Sequence, residues 1–339
     1  MKKIVISGVK TCAIKEVPTP KATEDWALVK IHAAPMCTEY KSYAAGRITE
    51  YWLGHEAAGE VVDVSRPGLV NVGDRVVVMP QYPCGRCALC LAGDYIHCQI
   101  NYDIEAFTGS PEGSSSYAQY LLKPAWLLPK IPDDLSYDHA SMICCGLGPT
   151  FGAMMRMNVT ATDTVLITGM GPVGLGGIIN GMFRNARVIA AEYSSYRANL
   201  AKTLGPETVI NPKEPSALQQ ILDMTNGLGV DKAIDCSGNS SAQRLCIDAT
   251  RRKGDVAFVG EAGELSIKVS DDLIRKGLKL HGVWHYNLND IPKLFQIVQR
   301  QRDLVSRLIT HTFPFNNVGE AWELQLTHQC GKVILHPWK

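Results

Sequence analysis

The chain has no long apolar run. No stretch approaches the ~20 continuous apolar residues that cross a bilayer as a helix, so a membrane-spanning protein is not expected. The lysines after Met1 are followed only by Ile4-Val5-Ile6, too short an apolar core for a secretory signal. Charge of one sign is also missing: 34 Lys and Arg face 33 Asp and Glu, for a net +1. Scattered charges of both signs leave no basic face for nucleic acid or an anionic membrane. There is no low-complexity block that would stay disordered and no repeat of solenoid length. What remains is globular make-up, 46% hydrophobic and 20% charged, and a cytoplasmic setting is expected. At 339 residues the chain exceeds one small core and implies two domains.

Cysteine, by contrast, is plentiful, with eleven residues. A secreted disulfide scaffold would be far shorter. Clustered cysteines in a reduced compartment point to metal binding or catalysis.

The first 130 or so residues read as mostly antiparallel β. Trp26 to His32, Gly59 to Val64 and Asp74 to Val78 carry strand patterns, separated by turn signals such as Arg66-Pro67-Gly68. From Ser136 a helix is predicted through the 140s and 150s. Strands and helices then alternate. Strands are expected at Thr164 to Thr168, Arg187 to Ala191, Asp231 to Asp235 and Asp255 to Val259. Helices are expected at Val173 to Arg184 and Arg197 to Leu204. Such alternation implies a parallel sheet covered on both faces. A helix near Ile291 to Arg302 and a strand at Gly331 to Leu335 follow.

Cys84, Cys87, Cys90 and Cys98 form the sharpest local pattern. Four thiolates so spaced can enclose one zinc ion tetrahedrally, with no open position. The role is then structural, stabilising a loop with too few apolar residues to fold alone. An iron–sulfur cluster also begins with cysteines in such steps, but its fourth cysteine normally follows sooner and precedes Pro. Here Gln99 follows Cys98, which favours zinc.

A second pattern is Gly169-Met170-Gly171-Pro172-Val173-Gly174. It follows an apolar strand and opens a helix, the context a dinucleotide-binding turn requires. Gly169 serves the turn, Gly171 the approach of the pyrophosphate, and Gly174 the packing of helix on strand. Glu192 ends the next strand, where a carboxylate bonds the adenosine ribose and repels a 2′-phosphate, favouring NAD over NADP. Arg197 tempers that preference, since it can reach toward a phosphate.

Cys37, His55 and the pair Cys144-Cys145 complete the chemistry-bearing residues. Cys, His and Cys ligands leave a fourth zinc position open for water or substrate.

Taken in order, Cys37, Gly54-His55-Glu56, the four-cysteine lobe, Cys145-Gly146 and the glycine turn resemble the zinc-containing medium-chain dehydrogenase/reductase family. The resemblance covers essentially the whole chain. It implies an α/β protein with a GroES-like β catalytic domain (1–150 and 288–339, zinc lobe at about 82–100). A doubly wound parallel-sheet Rossmann domain (151–287) would be inserted in it. It also implies two zinc ions per chain, NAD(H), a homodimer or homotetramer, and an active site between the domains. Cys37, His55 and Cys145 match the catalytic zinc ligands, Cys145 rather than Cys144 because Gly146 follows it. Glu56 matches a glutamate able to serve as a further ligand. Val259-Gly260 and the segment around Trp284 resemble the nicotinamide lining, and Leu280 to Tyr286 resembles the sheet edge through which members associate.

The chain departs from the family at Cys37-Thr38-Glu39-Tyr40. Gapless alignment puts Glu39 at the proton-relay hydroxyl and Tyr40 at the acidic residue behind the zinc ligand, with Ser42 where many members carry a relay histidine. A one-residue slip makes Thr38 the relay group. The activity implied is NAD-dependent oxidation of an alcohol, with a polyol, sugar or amino alcohol favoured because Glu39 would suit hydroxyl or ammonium groups. A zinc-independent NAD(P)H reductase of enones or quinones, and a non-catalytic dinucleotide-binding protein, are the rivals.

Overall fold

The computed structural model describes residues 1–339. Two sheets of six strands each dominate it. The first joins Ile309–Pro314, Lys332–His336, Trp26–Pro35, Ala57–Val64 and Arg75–Val78 in that order, with Tyr120–Pro124 also paired to Trp26–Pro35. Strands from both ends of the chain thus share one sheet. Ile334 lies opposite Pro35 and Leu335 opposite Ala34, antiparallel.

Trp26–Pro35 is buried along almost its whole length. It is a central strand, and its register shifts at Leu28/Val29 and Ile31/Ala33 break simple alternation,. One face packs Val29, Ile31, Val61, Val76, Val333 and Trp322 into a single apolar core.

The second sheet is parallel. Counted in chain order, its strands lie 3-2-1-4-5-6: Thr208–Ile210, Arg187–Ala191, Thr164–Thr168, Val230–Asp235, Thr250–Phe258 and Lys279–Gly282. This is the doubly wound dinucleotide-binding order, whose ligand crevice lies beyond the carboxyl ends of the strands where the order reverses. The two outer strands carry no pattern that periodicity detects, being only three and four residues long. Thr250–Phe258 starts five residues earlier than expected, because Thr250 pairs with Val230 ahead of a register shift.

One expected element divides in two. The helix predicted from Ser136 appears as Tyr137–Ser141 and Gly148–Arg156. Ser136 caps the first by accepting from the His139 N–H,. The break between them carries Cys144 and Cys145. Gly176, in the helix Pro172–Phe183, packs directly on it: a Cβ there would stand 1.8 Å from the Gly146 carbonyl oxygen. The helix that follows the glycine turn is therefore locked onto the turn that carries Cys145.

Candidate active site

The four lobe cysteines converge, their sulfurs all within 4.8 Å of one another. Sulfur separations of 3.5 Å (Cys87–Cys90), 3.6 Å (Cys84–Cys98) and 3.8 Å (Cys87–Cys98) are close to the ~3.8 Å edge of a tetrahedron with Zn–S bonds of ~2.3 Å. Backbone N–H groups of Arg86 and Cys87 aimed at Cys84 hold its thiol down at about 6. The donor set fits zinc.

A second cluster brings together Cys37, His55, Glu56 and Cys145, whose ligand atoms also lie within 4.8 Å of one another. Cys37 follows the strand Trp26–Pro35, His55 and Glu56 precede Ala57–Val64, and Cys145 sits in the helix break. Three separate elements thus meet at one point. His55 Nε2 lies 3.3 Å from Cys145 Sγ. Two thiols, an imidazole and a carboxylate form a borderline-soft set suited to zinc.

Glu39 lies behind this cluster. Its Oε1 contacts His55 Nδ1 at 2.8 Å, and its Oε2 accepts from the Cys37 N–H (2.9 Å) and the Tyr117 hydroxyl (3.0 Å). Burial would raise its pKa, but His55 and the backbone N–H groups hold it at about 2, so it stays a carboxylate. A carboxylate on Nδ1 turns Nε2 toward the metal position. Both oxygens are spent inside the shell, which differs from the gapless alignment that put a relay group at position 39. Tyr40 is bonded to neither His55 nor Cys37, and packs beside the core of the first sheet. Thr38 precedes the helix Glu39–Ala45, and its hydroxyl makes no capping bond. Replacing Glu39 with Gln is expected to weaken zinc retention and turnover about 10- to 100-fold. Competition with a chromogenic chelator measures the first. Unchanged retention together with unchanged turnover would deny Glu39 this part.

Lys332 was not anticipated. Its Nζ pairs with Glu56 Oε1 at 2.5 Å, both side chains fully buried. The other Glu56 oxygen accepts from the Cys145 N–H at 3.1 Å. Burial alone would lower the Lys332 pKa, but Glu56, Cys37 and Cys145 raise it above the usual range. Burial pushes the Glu56 carboxyl up to about 7, and Lys332 supplies the buried counter-charge that favours its ionised form,. The sequence signal is a lysine at the head of the apolar run Val333-Ile334-Leu335, in a strand buried along its whole length, where a charge is stable only when paired.

At the glycine turn, Gly169 has φ +83°, and a Cβ at Gly174 would stand 1.9 Å from the Gly169 carbonyl oxygen. Neither position admits a side chain. A Cβ at Gly171 would meet only the Arg197 guanidinium, at 3.9 Å. The surface above the turn is thus open for a phosphate to approach the helix N-terminus at Pro172 and Val173. Glu192 accepts from the N–H groups of Met170, Tyr193 and Ser194 at 2.7–2.8 Å, fixing the carboxylate beside the turn. Arg197 bonds His328 and the Cys330 carbonyl. Val259 and Gly260 lie at the next strand end, both N–H groups donating to the Asp235 carbonyl. Trp284 is 48% exposed and faces His97 of the lobe. Its neighbour His285 is the buried one.

Comparison with known proteins agrees with this geometry. Residues 23–133 match the family model described as alcohol dehydrogenase GroES-like domain, and 172–300 match zinc-binding dehydrogenase. The chain is 31% identical to the sorbitol dehydrogenase of Bacillus subtilis, over 99% of this chain and 97% of that protein. It is 33% identical to the L-threonine 3-dehydrogenase of Pyrococcus furiosus, over 94% and 93%. An alcohol dehydrogenase from E. coli CFT073, solved in complex with cofactor NADH, superposes with a TM-score of 0.83 at 26% identity over 99% of both chains.

Proposed function

Because the chain belongs to the zinc-containing medium-chain alcohol and polyol dehydrogenase family, we propose that it moves a hydride between NAD(H) and the carbinol carbon of a polyol or amino alcohol. The observation that carries this reading is the meeting of the Cys37, His55, Glu56 and Cys145 cluster with the cofactor helix at Gly146 and Gly176. A reductase without zinc has no use for such a ligand set, and neither that rival nor a non-catalytic binder is favoured by the relatives.

Cys37, His55 and Cys145 would hold the catalytic zinc, and the four lobe cysteines a structural one. Bound there, zinc supplies Lewis-acid polarisation of the substrate oxygen, and bound NAD accepts the hydride. The rest falls to the chain. Glu39 orients His55. Lys332 restrains Glu56, whose Oε1 stands 4.0 Å from His55 Nε2. Thr38, next to Cys37, takes the alcohol proton and passes it outward. Gly171, with the helix start at Pro172 and Val173, seats the pyrophosphate, and Val259 and Gly260 border the nicotinamide. Glu192 stands at the ribose and repels a 2′-phosphate, which favours NAD.

Both Glu39 oxygens are engaged by His55, Cys37 and Tyr117, so the preference for a polar substrate rests on the sorbitol and threonine dehydrogenases among the relatives. With NAD, sorbitol-type polyols and amino alcohols are expected to exceed 2-butanol in kcat/KM by at least about tenfold. A preference for simple alkyl alcohols would overturn the polar-substrate reading. A cytoplasmic homodimer or homotetramer is part of the same proposal. It is supported by the absence of any disulfide among the eleven cysteines,, and by the outer position of the strand Lys279–Gly282.

A further inference from the structure

Asn180 lies two turns into the helix Pro172–Phe183, in an otherwise apolar run, and is fully buried. Its Nδ2 donates to the Leu147 carbonyl and to the Thr150 hydroxyl, both at 2.9 Å. Its Oδ1 is buried with no partner. Turning the amide over would set oxygen against the Leu147 carbonyl, acceptor against acceptor, so the chemistry fixes its orientation. Leu147 stands two residues after Cys145. Its carbonyl also receives the Phe151 N–H, at 3.0 Å, which opens the helix Gly148–Arg156.

The same face of the helix touches the same turn at backbone level. Gly176 meets the Gly146 carbonyl, and a Cβ at Gly177 would stand 3.1 Å from Thr150 Cγ2. No flexible side chain intervenes between the helix and the residues that follow Cys145. Close packing of this kind transmits a displacement instead of absorbing it. At its start the helix presents free N–H groups to a pyrophosphate. Pro172 lies about 12 Å along the axis from Asn180, at ~1.5 Å per residue. An orphaned amide oxygen costs stability in an apolar interior, and a leucine would fill the place without that cost. What the amide supplies instead is a directional bond to the Cys145 turn.

We propose that Asn180 is a positioning residue that makes one body of the pyrophosphate-binding helix and the Cys145 turn, so that nucleotide bound at the first strengthens zinc binding at the second. This rests on the dehydrogenase reading above and adds to it a linkage between nucleotide and metal. Nucleotide at the helix start restricts the unit to one position, and zinc at Cys145 favours that same position. The linkage is reciprocal, zinc tightening nucleotide binding by the same factor.

The test measures zinc affinity at equilibrium, by competition with a chromogenic chelator, with and without saturating ADP-ribose. ADP-ribose carries the pyrophosphate but lacks the nicotinamide, so it acts on the helix and sets nothing against the metal. An equilibrium reading is also indifferent to slower escape of the ion. Cys145→Ser supplies the baseline of zinc held by the four lobe cysteines. In the wild type, ADP-ribose is expected to tighten zinc at the Cys37, His55 and Cys145 cluster about 5- to 20-fold. In Asn180→Leu, which fills the same volume without the amide, the gain is expected to fall to within about twofold of none, with zinc affinity in the absence of nucleotide within about threefold of wild type. Thr150→Val, which leaves the bond to Leu147, is expected to keep most of the gain.

A wild type whose zinc affinity ignores ADP-ribose would overturn the inference, as would Asn180→Leu with the full gain. Zinc binding weakened equally with and without ADP-ribose would make Asn180 a packing residue only, and would overturn it too. In these cases NAD-dependent turnover of an alcohol by the wild type leaves the dehydrogenase reading standing. A wild type that binds one zinc ion only, or no ADP-ribose, overturns that reading and this inference with it. If Asn180→Leu does not fold, Asn180→Ala carries the same comparison.

Discussion

Replacing Lys332 with Met is expected to lower the melting temperature by on the order of 6–20 °C. The substitution preserves most of the volume in a fully buried position but strands the Glu56 carboxylate without its counter-charge. Breaking one side of a buried pair typically costs ~3–5 kcal/mol, because the remaining charge is left in a poorly solvating interior. Each kcal/mol is worth about 2–4 °C in a domain of 150–250 residues. The double variant Lys332→Met with Glu56→Leu removes both charges and is expected to regain most of the lost stability, since paired apolar replacements are often neutral. Thermal melts of the wild type, both single variants and the double variant close the cycle. A single Lys332→Met variant as stable as wild type would mean that Glu56 is neutral without it and that the pair does not hold the site.

The largest effect on activity is expected at Cys145. Cys145→Ser leaves the fold of the helix break intact, since serine is nearly isosteric, but exchanges a soft thiolate for a poor zinc ligand. Zinc content should fall from about two ions per chain to about one, and kcat/KM by a factor of roughly 10³ or more, because metal polarisation supplies several kcal/mol of transition-state stabilisation. Elemental analysis beside an NADH-coupled assay measures both. Two ions retained with activity lost would place Cys145 outside the metal shell. One ion in the wild-type protein would mean that only the lobe is filled.

The features legible in the sequence are those whose parts lie close together along the chain. Cys84 to Cys98 span one loop, and Gly169 to Gly174 one strand-to-helix turn, so spacing alone implies their chemistry. The parallel sheet was legible because its inner strands are continuous apolar runs. Its outer strands were not, because Thr208–Ile210 and Lys279–Gly282 are short and half-exposed. The part played by Glu39 was illegible for a different reason. Two alignments one residue apart explain Cys37 to Tyr40 equally well, and neither foretells the 2.8 Å contact of Glu39 with His55. The helix break at Cys144-Cys145 did carry a signal, since Gly146, Gly148 and Pro149 follow it directly,, and packing against Gly176 holds the turn in place.

The pairing of Glu56 with Lys332 joins residues 276 positions apart, and the backbone shows the same span where the Met36 N–H donates to the Val333 carbonyl. On a ribosome adding ~5–20 residues per second, Glu56 therefore waits ~15–60 s for its partner. Through that interval the Ala34–Pro35 end of Trp26–Pro35 lacks its partner strand, and Cys37, His55 and Cys145 surround a carboxylate with no lysine. The parallel sheet, complete by Gly282, can form in the meantime as its own unit. Biosynthesis thus separates the two halves of the active site in time: the nucleotide-binding half is ready first, and Glu56 meets its counter-charge only when the strand Lys332–His336 closes the other sheet.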